Sequence, residues 1–306
     1  MEPRRDFLKT SAILAASAAL GADRGAAQAQ YPLLPTVRLG KHEVTRLLLG
    51  SNPFNGYSHF NNLLDRHMVE WATAENVCRC LDDAQRYGIN TWQFSDTGRR
   101  HLSDLQRHWA AGGKLQWIYL TSREMEAKPE LVREAAKLKP IGIVHHGGST
   151  DMRFSAGRAH EVREFLKVVR DAGVLAGVST HRPEVIEQIE EQNWDVDFYM
   201  ACFYKVNRRT EELVQLLGQR PLGEVFLPSD PVRMCQTIRR TKKTCLAFKV
   251  LGAGRVTDSP QGIDQAFRFA FQNIKPQDCI IVGMYPRYTG QIRENCDRAR
   301  RLLAVA

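Results

Sequence analysis

Several common signals are missing from this 306-residue sequence. There is no CxxC pair and no Cys/His spacing of an established metal motif, which argues against a structural metal site. No GxGxxG turn follows the first apolar run, which argues against a doubly wound dinucleotide-binding fold. Basic and aromatic residues do not interleave as they do on nucleic-acid-binding surfaces, so we expect no nucleic-acid partner. No internal repeat or low-complexity linker divides the chain, which favours one domain.

Cysteine is present without any sign of pairing. The seven cysteines are an odd number, and Cys202, Cys245 and Cys279 lie inside apolar runs, so we interpret them as small buried hydrophobic residues. The remaining composition is that of a globular protein, with 43% hydrophobic and 25% charged residues and a net charge of +9. A chain of this length can bury roughly three quarters of its unfolded surface, so it needs neither disulfides nor metal to form a core.

The first 29 residues differ from the rest of the chain. The segment RRDFLK at residues 4–9 resembles the twin-arginine export motif, and an apolar run from Ser11 to Leu20 is followed by a small-residue cleavage site before Gln30. The apolar run is half the length of roughly 20 residues that crosses a bilayer, so we predict a removable signal and no membrane span. We therefore expect the twin-arginine translocase to export the folded protein to the periplasm or beyond. Residues 30–306, with a net charge of +8, form the predicted mature domain.

Short apolar runs alternate with stretches of helical periodicity throughout the mature chain. Eight runs have the length of strands, at residues 46–51, 90–95, 116–122, 141–146, 175–180, 198–203, 245–251 and 279–284. Helical patterns lie at 73–87, 104–111, 129–138, 159–172, 183–191, 210–217, 231–242, 261–272 and 290–303. Runs that are apolar on both faces and separated by helices indicate a parallel sheet, and eight of them predict an α/β fold, the (β/α)8 TIM barrel. The long connection 52–70 is expected to be a functional loop at the C-terminal mouth of the barrel.

Polar residues end nearly every predicted strand, which is where such barrels carry their chemistry. Lys249 stands between Phe248 and Val250 and would be costly to bury without a partner, which favours a functional role. The catalytic candidates are Asp96, His101, His145, His146 and Lys249. Asp96 could instead cap a turn, and one of the paired histidines could be an ordinary buried residue. The substrate-binding candidates, of which those in the loop after the first strand suit a hydroxyl-rich ligand, are Asn52, Asn55, Tyr57, Arg123 and His181.

Successive segments of the chain resemble the aldo-keto reductases. In order, they are VRLGKHEVTRLLLGS, YGINTWQFSDTG, IYLTSRE, IGIVHH, AGVST, DFYMACFYKVN, LAFKVLGAGR and IIVGMYPRYTGQIREN. They span nearly the whole mature chain. The resemblance implies an oxidoreductase that uses NADP or NAD to reduce or oxidise a carbonyl or hydroxyl group of a small molecule, for example a sugar.

The catalytic residues of that family are matched only in part. The family delivers a proton to the carbonyl through an Asp, a Tyr, a Lys and a His. Asp96 and either His145 or His146 match two of these positions, whereas His101 stands at the tyrosine position. Ser122, followed by Arg123, stands at the lysine position. The tyrosine–lysine pair is therefore absent.

The resemblance also implies a set of cofactor-binding residues. Ser179 and Thr180 are similar to the pair that holds the nicotinamide carboxamide, and Tyr204 is similar to the aromatic residue that stacks on the ring. Three residues near the C terminus resemble the segment that cradles the 2′-phosphate of NADP, namely Arg287, Gln291 and Asn295.

Two other interpretations stay open at this point. The barrel could serve a lyase or hydrolase that acts on a carbohydrate through acid–base chemistry of its His, Asp and Lys residues, or through a Schiff base at Lys249. A divalent metal on His146, His181 and Asp96 is a subsidiary version, but their spacing matches no established motif and we predict no metal. The other interpretation is a catalytically inert barrel that binds a ligand.

Overall fold

The computed structural model describes residues 30–95 and 101–304. Apart from Gln30 and Tyr31, these residues belong to the compact unit Pro32–Ala306. The predicted export signal, residues 1–29, and the catalytic candidate Asp96 lie outside the described residues.

Eight parallel strands of the described chain form a closed barrel. They are β3 (Leu47–Gly50), β4 (Thr91–Ser95), β5 (Gln116–Leu120), β6 (Gly142–His145), β7 (Leu175–Thr180), β8 (Phe198–Cys202), β9 (Thr244–Phe248) and β10 (Cys279–Gly283). They follow one another around the barrel in chain order, and β10 pairs with β3 to close it. The chain is a (β/α)8 TIM barrel. This confirms the fold predicted from the eight apolar runs.

A hairpin that the sequence did not predict closes the N-terminal end of the barrel. Its strands, β1 (Thr36–Leu39) and β2 (His42–Thr45), are antiparallel and turn at Gly40, whose φ of 59° is in the left-handed region. Leu39 and Val44 are buried against the interior residue Leu48. The short polar strands carry too weak a pattern to be recognised, and their burial depends on the barrel beneath them.

Amphipathic helices cover the outside of the barrel. In the described ranges they are α1 (Asn62–Trp71), α2 (Ala74–Arg86), α3 (His101–Ala110), α4 (Arg123–Ala127), α5 (Pro129–Lys137), α6 (Gly147–Ser155), α7 (Ala159–Asp171), α8 (Pro183–Glu191), α9 (Thr210–Leu217), α10 (Ser229–Arg240), α11 (Pro260–Asn273) and α12 (Gln291–Leu303). Thr73 and Ser259 cap α2 and α11 through their hydroxyl oxygens. Among the described helices, none is long and apolar enough to cross a membrane.

The sequence missed three of the described α-helices and a short 3-10 helix at the C-terminal mouth of the barrel. The connection 52–70, expected to be a loop, contains a short 3-10 helix (Asn52–Asn55) and α1. Helix α4 is only a single turn or so, and α6 begins with two glycines, so neither shows a clear helical period. In α1 and α9 no residue is fully buried, so these two helices cover the barrel less tightly than the others do.

The core has an inner and an outer layer because successive strand residues face opposite sides of the sheet. Phe198 fills the interior, and a Cβ added at Gly142 or Gly177 would lie 2.7 or 2.6 Å from its ring. A side chain at either position would collide with the Phe198 ring, so these positions require glycine. Trp92 and Trp117 belong to the outer layer under the helices. The cysteines are free and most of them are buried, in agreement with their prediction as core residues.

Candidate active site

A cavity of about 630 Å³ opens at the C-terminal mouth of the barrel. Its walls are the segment after β3, the segment between β9 and α11, and the segment between β10 and α12. Many of its polar lining groups come from these connections, including Asn52, Tyr57, His59, Lys249, Gln291 and Asn295. This is the face at which TIM barrels place their reactive groups, because the strand ends and their loops converge there.

Lys249, which follows β9 directly, lies in a chain of three hydrogen-bonded side chains. Its Nζ lies 2.9 Å from Nε2 of His59, and Nδ1 of His59 lies 2.8 Å from a carboxylate oxygen of Glu224. Burial lowers the pKa of the Lys249 ammonium, an effect that the nearby Glu224 carboxylate opposes. Burial would raise the pKa of Glu224, but its hydrogen bond with His59 lowers it below the ordinary value. The lysine is thus biased toward the neutral amine beside a charged carboxylate.

The backbone at this chain of side chains is strained. Lys249 has a φ of 57° and His59 a φ of 61°, both in the left-handed region that disfavours residues with a Cβ. Such conformations cost on the order of 1–3 kcal/mol each, and they occur preferentially at functional sites. The two strained residues are the ones whose side chains lie within hydrogen-bond distance of each other.

Arg255 holds His59 in place. Its guanidinium lies between two aromatic rings, 4.5 Å from the centroid of Phe60 and 3.8 Å from that of Phe226. Its Nη2 also donates a hydrogen bond of 2.9 Å to the carbonyl oxygen of His59. The connection after β3 and the connection after β8 are therefore joined above the end of β9.

A second polar cluster lies around the buried carboxylate of Asp151 in α6. Nδ1 of His181 lies 2.8 Å from Oδ2, to which the backbone N–H of His181 also donates at 3.1 Å. Asn207 donates to the same oxygen at 2.6 Å, and the hydroxyl of Thr180 donates to the other oxygen. The ring of His181 packs edge-on against Phe248, which lines the cavity. This cluster therefore adjoins the site of Lys249.

His146 stands at the start of α6 and accepts a hydrogen bond through its ring. The backbone N–H of Gly148 donates to Nδ1 at 3.2 Å, so His146 is the N-cap of the helix. Burial lowers the pKa of His146, although the nearby Glu126 carboxylate opposes the shift. His146 is therefore neutral at pH 7 and belongs to the same part of the mouth.

The structure brings part of the predicted set together. Asn52, Tyr57, Lys249, Gln291 and Asn295 line the cavity. The amide oxygen of Gln291 accepts from the backbone N–H of Tyr285 at 2.8 Å, and that of Asn295 accepts from Arg298 at 2.8 Å. The two amides are therefore oriented by the protein itself.

Other candidates lie beside the cavity or under the barrel wall. Asn55 is buried, with its amide nitrogen 3.4 Å from the carbonyl oxygen of Ser95. Ser179 faces the barrel interior, where a Cβ added at Gly147 would lie 2.9 Å from its hydroxyl. Thr180 faces the opposite side, toward Asp151.

Two of the catalytic candidates are buried among aromatic rings outside the barrel. His101 lies between the rings of Phe54, Trp92 and Phe94. His145 packs against Phe165, and its Nδ1 lies 2.7 Å from the hydroxyl of Thr150. The strand directs His145 toward the helices and His146 toward the mouth, because they are adjacent residues.

Three further candidates lie away from the cavity. Arg123 is exposed at the start of α4. Arg287 is exposed, with its guanidinium 5.5 Å from the ring centroid of Tyr288. Tyr204 lines another cavity, of about 490 Å³, on the far side of the segment after β9, and its ring packs on Phe226.

The sequence indicated His59 only as part of the loop after the first strand that suits a hydroxyl-rich ligand, and it did not indicate Glu224, Asp151 or Asn207. All four lie beyond the ends of the strands, in connections whose shape no local pattern indicates. Asp151 had a signal, since it follows the paired histidines within one helical turn and a half. For a metal site, the described residues contain no group of three or more His, Cys, Asp and Glu arranged to hold an ion.

Comparison with known proteins supports the fold and no particular activity. No protein-family model and no curated protein matches the chain. Among solved structures, it is similar to the glycerol dehydrogenase AKR11B4 from Gluconobacter oxydans, with 14% identity, a TM-score of 0.52, and 86% of this chain and 89% of that chain covered.

A structure of a different reaction class is equally similar. It is a truncated form of 3-deoxy-D-arabino-heptulosonate 7-phosphate synthase from Thermotoga maritima, with 11% identity, a TM-score of 0.52, and coverage of 90% of this chain and 93% of that chain. At such low identities these similarities show the fold alone. The chain is therefore a TIM-barrel protein, and neither similarity assigns it an activity.

Proposed function

We propose that the chain is an enzyme in which Lys249 acts as a reactive amine on a small carbonyl compound bound in the cavity. The observation that carries this proposal is the hydrogen-bonded chain Glu224–His59–Lys249 at the cavity wall. A nucleophile within hydrogen-bond distance of a base, which a third group orients, is the general arrangement of an activated nucleophile. His59 can accept a proton from the ammonium, and the Glu224 carboxylate stabilises the resulting charge.

The chemistry of such a lysine is Schiff-base formation. The neutral Nζ attacks the carbonyl carbon and forms a C–N bond, while the carbonyl π electrons move to the oxygen. The nitrogen then loses a proton and the oxygen takes one up, which gives a carbinolamine. A second protonation of that oxygen lets it leave as water, the nitrogen lone pair forms the C=N bond, and an iminium ion remains. Burial beside Phe248 and Val250 favours the neutral amine that this attack needs, because low polarity disfavours the ammonium.

The lining of the cavity suits a substrate with hydroxyl groups. Amide, phenol and carboxylate groups of Asn52, Tyr57, Gln93 and Asp258 line the cavity. Among its described lining residues, Lys249 is the only Lys or Arg, so the walls offer little to a polyanion. Small hydroxyaldehydes and hydroxyketones, including sugars, combine the hydroxyl groups with the carbonyl that Lys249 needs.

The proposal is tested by trapping the Schiff base. We expect the protein, incubated with dihydroxyacetone or D-xylulose and then with sodium cyanoborohydride, to carry a stable adduct on Lys249 that peptide mass spectrometry detects. Lys249→Met should remove this adduct. The matched control is Lys242→Met, since Lys242 is an exposed lysine just before the other end of β9. Equal labelling of Lys249 and surface lysines, or no labelling at millimolar carbonyl compound, would contradict the proposal.

A nicotinamide-dependent oxidoreductase is a second candidate, favoured by the position of Gln291 and Asn295 in the cavity wall at the start of α12. These residues would hold the cofactor, which would supply hydride for the reduction of a carbonyl group. The acidic residues Asp258 and Glu294 line the same cavity, whereas Arg287 is exposed outside it. Carboxylates bind the ribose hydroxyls of NAD and repel the 2′-phosphate of NADP, so the residues present fit NAD better than NADP.

Cofactor fluorescence distinguishes the two candidates. We expect titration of the protein with NADH and NADPH to show tighter binding of NADH, because Asp258 and Glu294 repel the additional phosphate. Glu294→Gln should narrow that difference, and Glu75→Gln, at an exposed glutamate of α2, should leave it unchanged. The absence of binding of either nucleotide at millimolar concentration would remove this candidate. Export through the twin-arginine pathway stays a prediction from residues 1–29.

A further inference from the structure

Of the two histidines at the mouth, one carries its hydrogen on Nδ1 and the other on Nε2. Nδ1 of His181 faces the Asp151 carboxylate, which can only accept, so Nδ1 carries a hydrogen and Nε2 is the nitrogen that can take up or release a proton. Nδ1 of His146 faces the N–H of Gly148, which can only donate, so Nδ1 is the acceptor and Nε2 carries the hydrogen. Nε2 of His181 is therefore in the position of a base, and Nε2–H of His146 is a hydrogen-bond donor.

The two rings are neighbours, and His181, which lines a smaller cavity of about 130 Å³, contacts the cavity of Lys249 through Phe248. His181 is two residues beyond Ser179, which faces the barrel interior, so its side chain points to the same side. A Cβ added at Gly147 would lie 3.1 Å from Cε1 of His181, so the start of α6, which His146 caps, packs directly on that ring. The edge of the His181 ring also contacts Phe248, the residue before Lys249.

Asp151 has the contacts of a positioning residue. It is 2% exposed and accepts four hydrogen bonds, from the ring and the backbone of His181, from Asn207 and from Thr180. A buried carboxylate with this many hydrogen-bond partners holds the imidazole in one orientation. It also stabilises the imidazolium that forms when Nε2 takes up a proton.

We propose that His181 is the general base of the mouth, positioned by Asp151, and that Nε2–H of His146 donates a hydrogen bond to a substrate oxygen. The assignment rests on the proposed reaction at Lys249. Once an iminium ion has formed there, Nε2 of His181 removes the proton from the adjacent carbon. The C–H electron pair forms a C=C bond, and the C=N π pair returns to nitrogen, which yields an enamine and an imidazolium. Return of the proton to the same carbon regenerates both partners.

The first test needs no substrate. Long-range ¹H–¹⁵N NMR of the histidine rings distinguishes the two neutral tautomers. We expect His181 to carry its hydrogen on Nδ1 and His146 on Nε2. We expect Asp151→Ala, which removes the acceptor that faces Nδ1 of His181, to shift the His181 hydrogen toward Nε2 in a protein with otherwise unchanged spectra. The same tautomer in both rings, or no change in Asp151→Ala, would overturn the assignment.

The second test measures exchange of the carbon-bound protons of dihydroxyacetone with D₂O, by NMR. We expect His181→Gln and Asp151→Asn to slow exchange by about 10²-fold or more, as is typical for loss of a general base. Both variants should still form the trapped adduct on Lys249. The matched control, His160→Gln, changes an exposed histidine of α7 and should exchange at the wild-type rate.

The two proposals fail in different ways. Adduct formation with unchanged exchange in His181→Gln would overturn the role of His181 and leave the role of Lys249 intact. Absence of the adduct in the wild-type protein would overturn the proposed function, and with it the exchange step. For His146, replacement by Gln retains an N–H donor, so we expect a smaller loss than in His146→Phe, and equal losses would contradict its role as a donor.

Discussion

Replacement of Lys249 by methionine is expected to abolish turnover and, at the same time, to stabilise the protein. Loss of the amine should reduce the rate of the carbonyl reaction by about 10³-fold or more, since no other described Lys or Arg lines the cavity. Stability should rise because the substitution removes an ammonium whose burial is unfavourable. Functional sites often lower the stability of the folded protein in this way. We expect Lys249→Met to raise the free energy of unfolding by about 1 kcal/mol, which corresponds to roughly 2–4 °C in melting temperature.

The pH dependence of the stability gained in Lys249→Met shows whether the buried ammonium causes it. Burial lowers the pKa of Lys249 in the folded protein below its value in the unfolded chain, so the unfolded chain binds more protons between the two values. The stability contributed by this residue therefore increases as the pH rises through that window toward 10.5. The advantage of Lys249→Met should shrink over the same range. Thermal unfolding at several pH values measures it, with Lys242→Met as the control that should differ little from the wild type.

A stability gain that stays constant with pH would show that the ammonium is not the origin of the cost. A variant that lost stability at pH 7 would show that the hydrogen bond from Lys249 to His59 outweighs the cost of burial. Turnover within a factor of a few of the wild-type rate would contradict the role of Lys249 directly.

His145 is expected to make the protein sensitive to mild acid. The residue is 1% exposed, and burial lowers the pKa of its imidazole to about 4, although Glu126 opposes the shift. The unfolded chain takes up this proton near pH 6.5, well before the folded protein does. Stability is therefore full above pH 6.5 and is lost as the pH falls toward 4, by about 3 kcal/mol in total. That is a large part of the stability of an ordinary domain.

The variant His145→Asn isolates this contribution. An amide can still donate to the hydroxyl of Thr150, as Nδ1 of His145 does, but it does not titrate. Urea unfolding of both proteins at pH 7, 5.5 and 4 should show the wild type losing more free energy of unfolding than the variant as the pH falls. A difference between the two proteins that is independent of pH would contradict the expectation.

The same variant examines whether His145 has a catalytic role. The sequence predicted such a role, but the side chain lies between β6 and α7, where it contacts Phe165. The position of the ring supports a structural role, so His145→Asn should keep proton exchange close to the wild-type rate. His181→Gln provides the contrast.

The strands of the barrel could be predicted from the sequence, whereas most contacts of the candidate site could not. Most barrel strands are apolar and buried along nearly their whole length, so a run of four to six such residues between helices is visible without knowledge of its neighbours. Seven of the eight predicted runs end within two residues of the observed strand, and the run 245–251 ends three residues beyond β9. This was enough to place Lys249, His146 and His181 at or near the ends of strands. The hairpin Thr36–Thr45 was missed because its burial depends on the barrel that it closes.

The sequence does not show which of the strand-end residues lie close together in the fold. His145 and His146 are neighbours in the chain, yet the pleat sends one toward the helices and the other toward the mouth. The resemblance to aldo-keto reductases directed attention to His101, which the structure places among aromatic rings.

The order of apolar runs specified the eight-stranded barrel and the end of it where the candidate residues lie, because hydrophobic burial of a strand is a local property of its residues. The partners Glu224 and His59 of Lys249, and Asp151 of His181, were decided by the folding of three separate connections around the mouth. These pairs lie from 30 to 190 residues apart in the chain, so no spacing indicates them. Their hydrogen bonds, and the burial that lowers the pKa of Lys249, exist only once the barrel has closed.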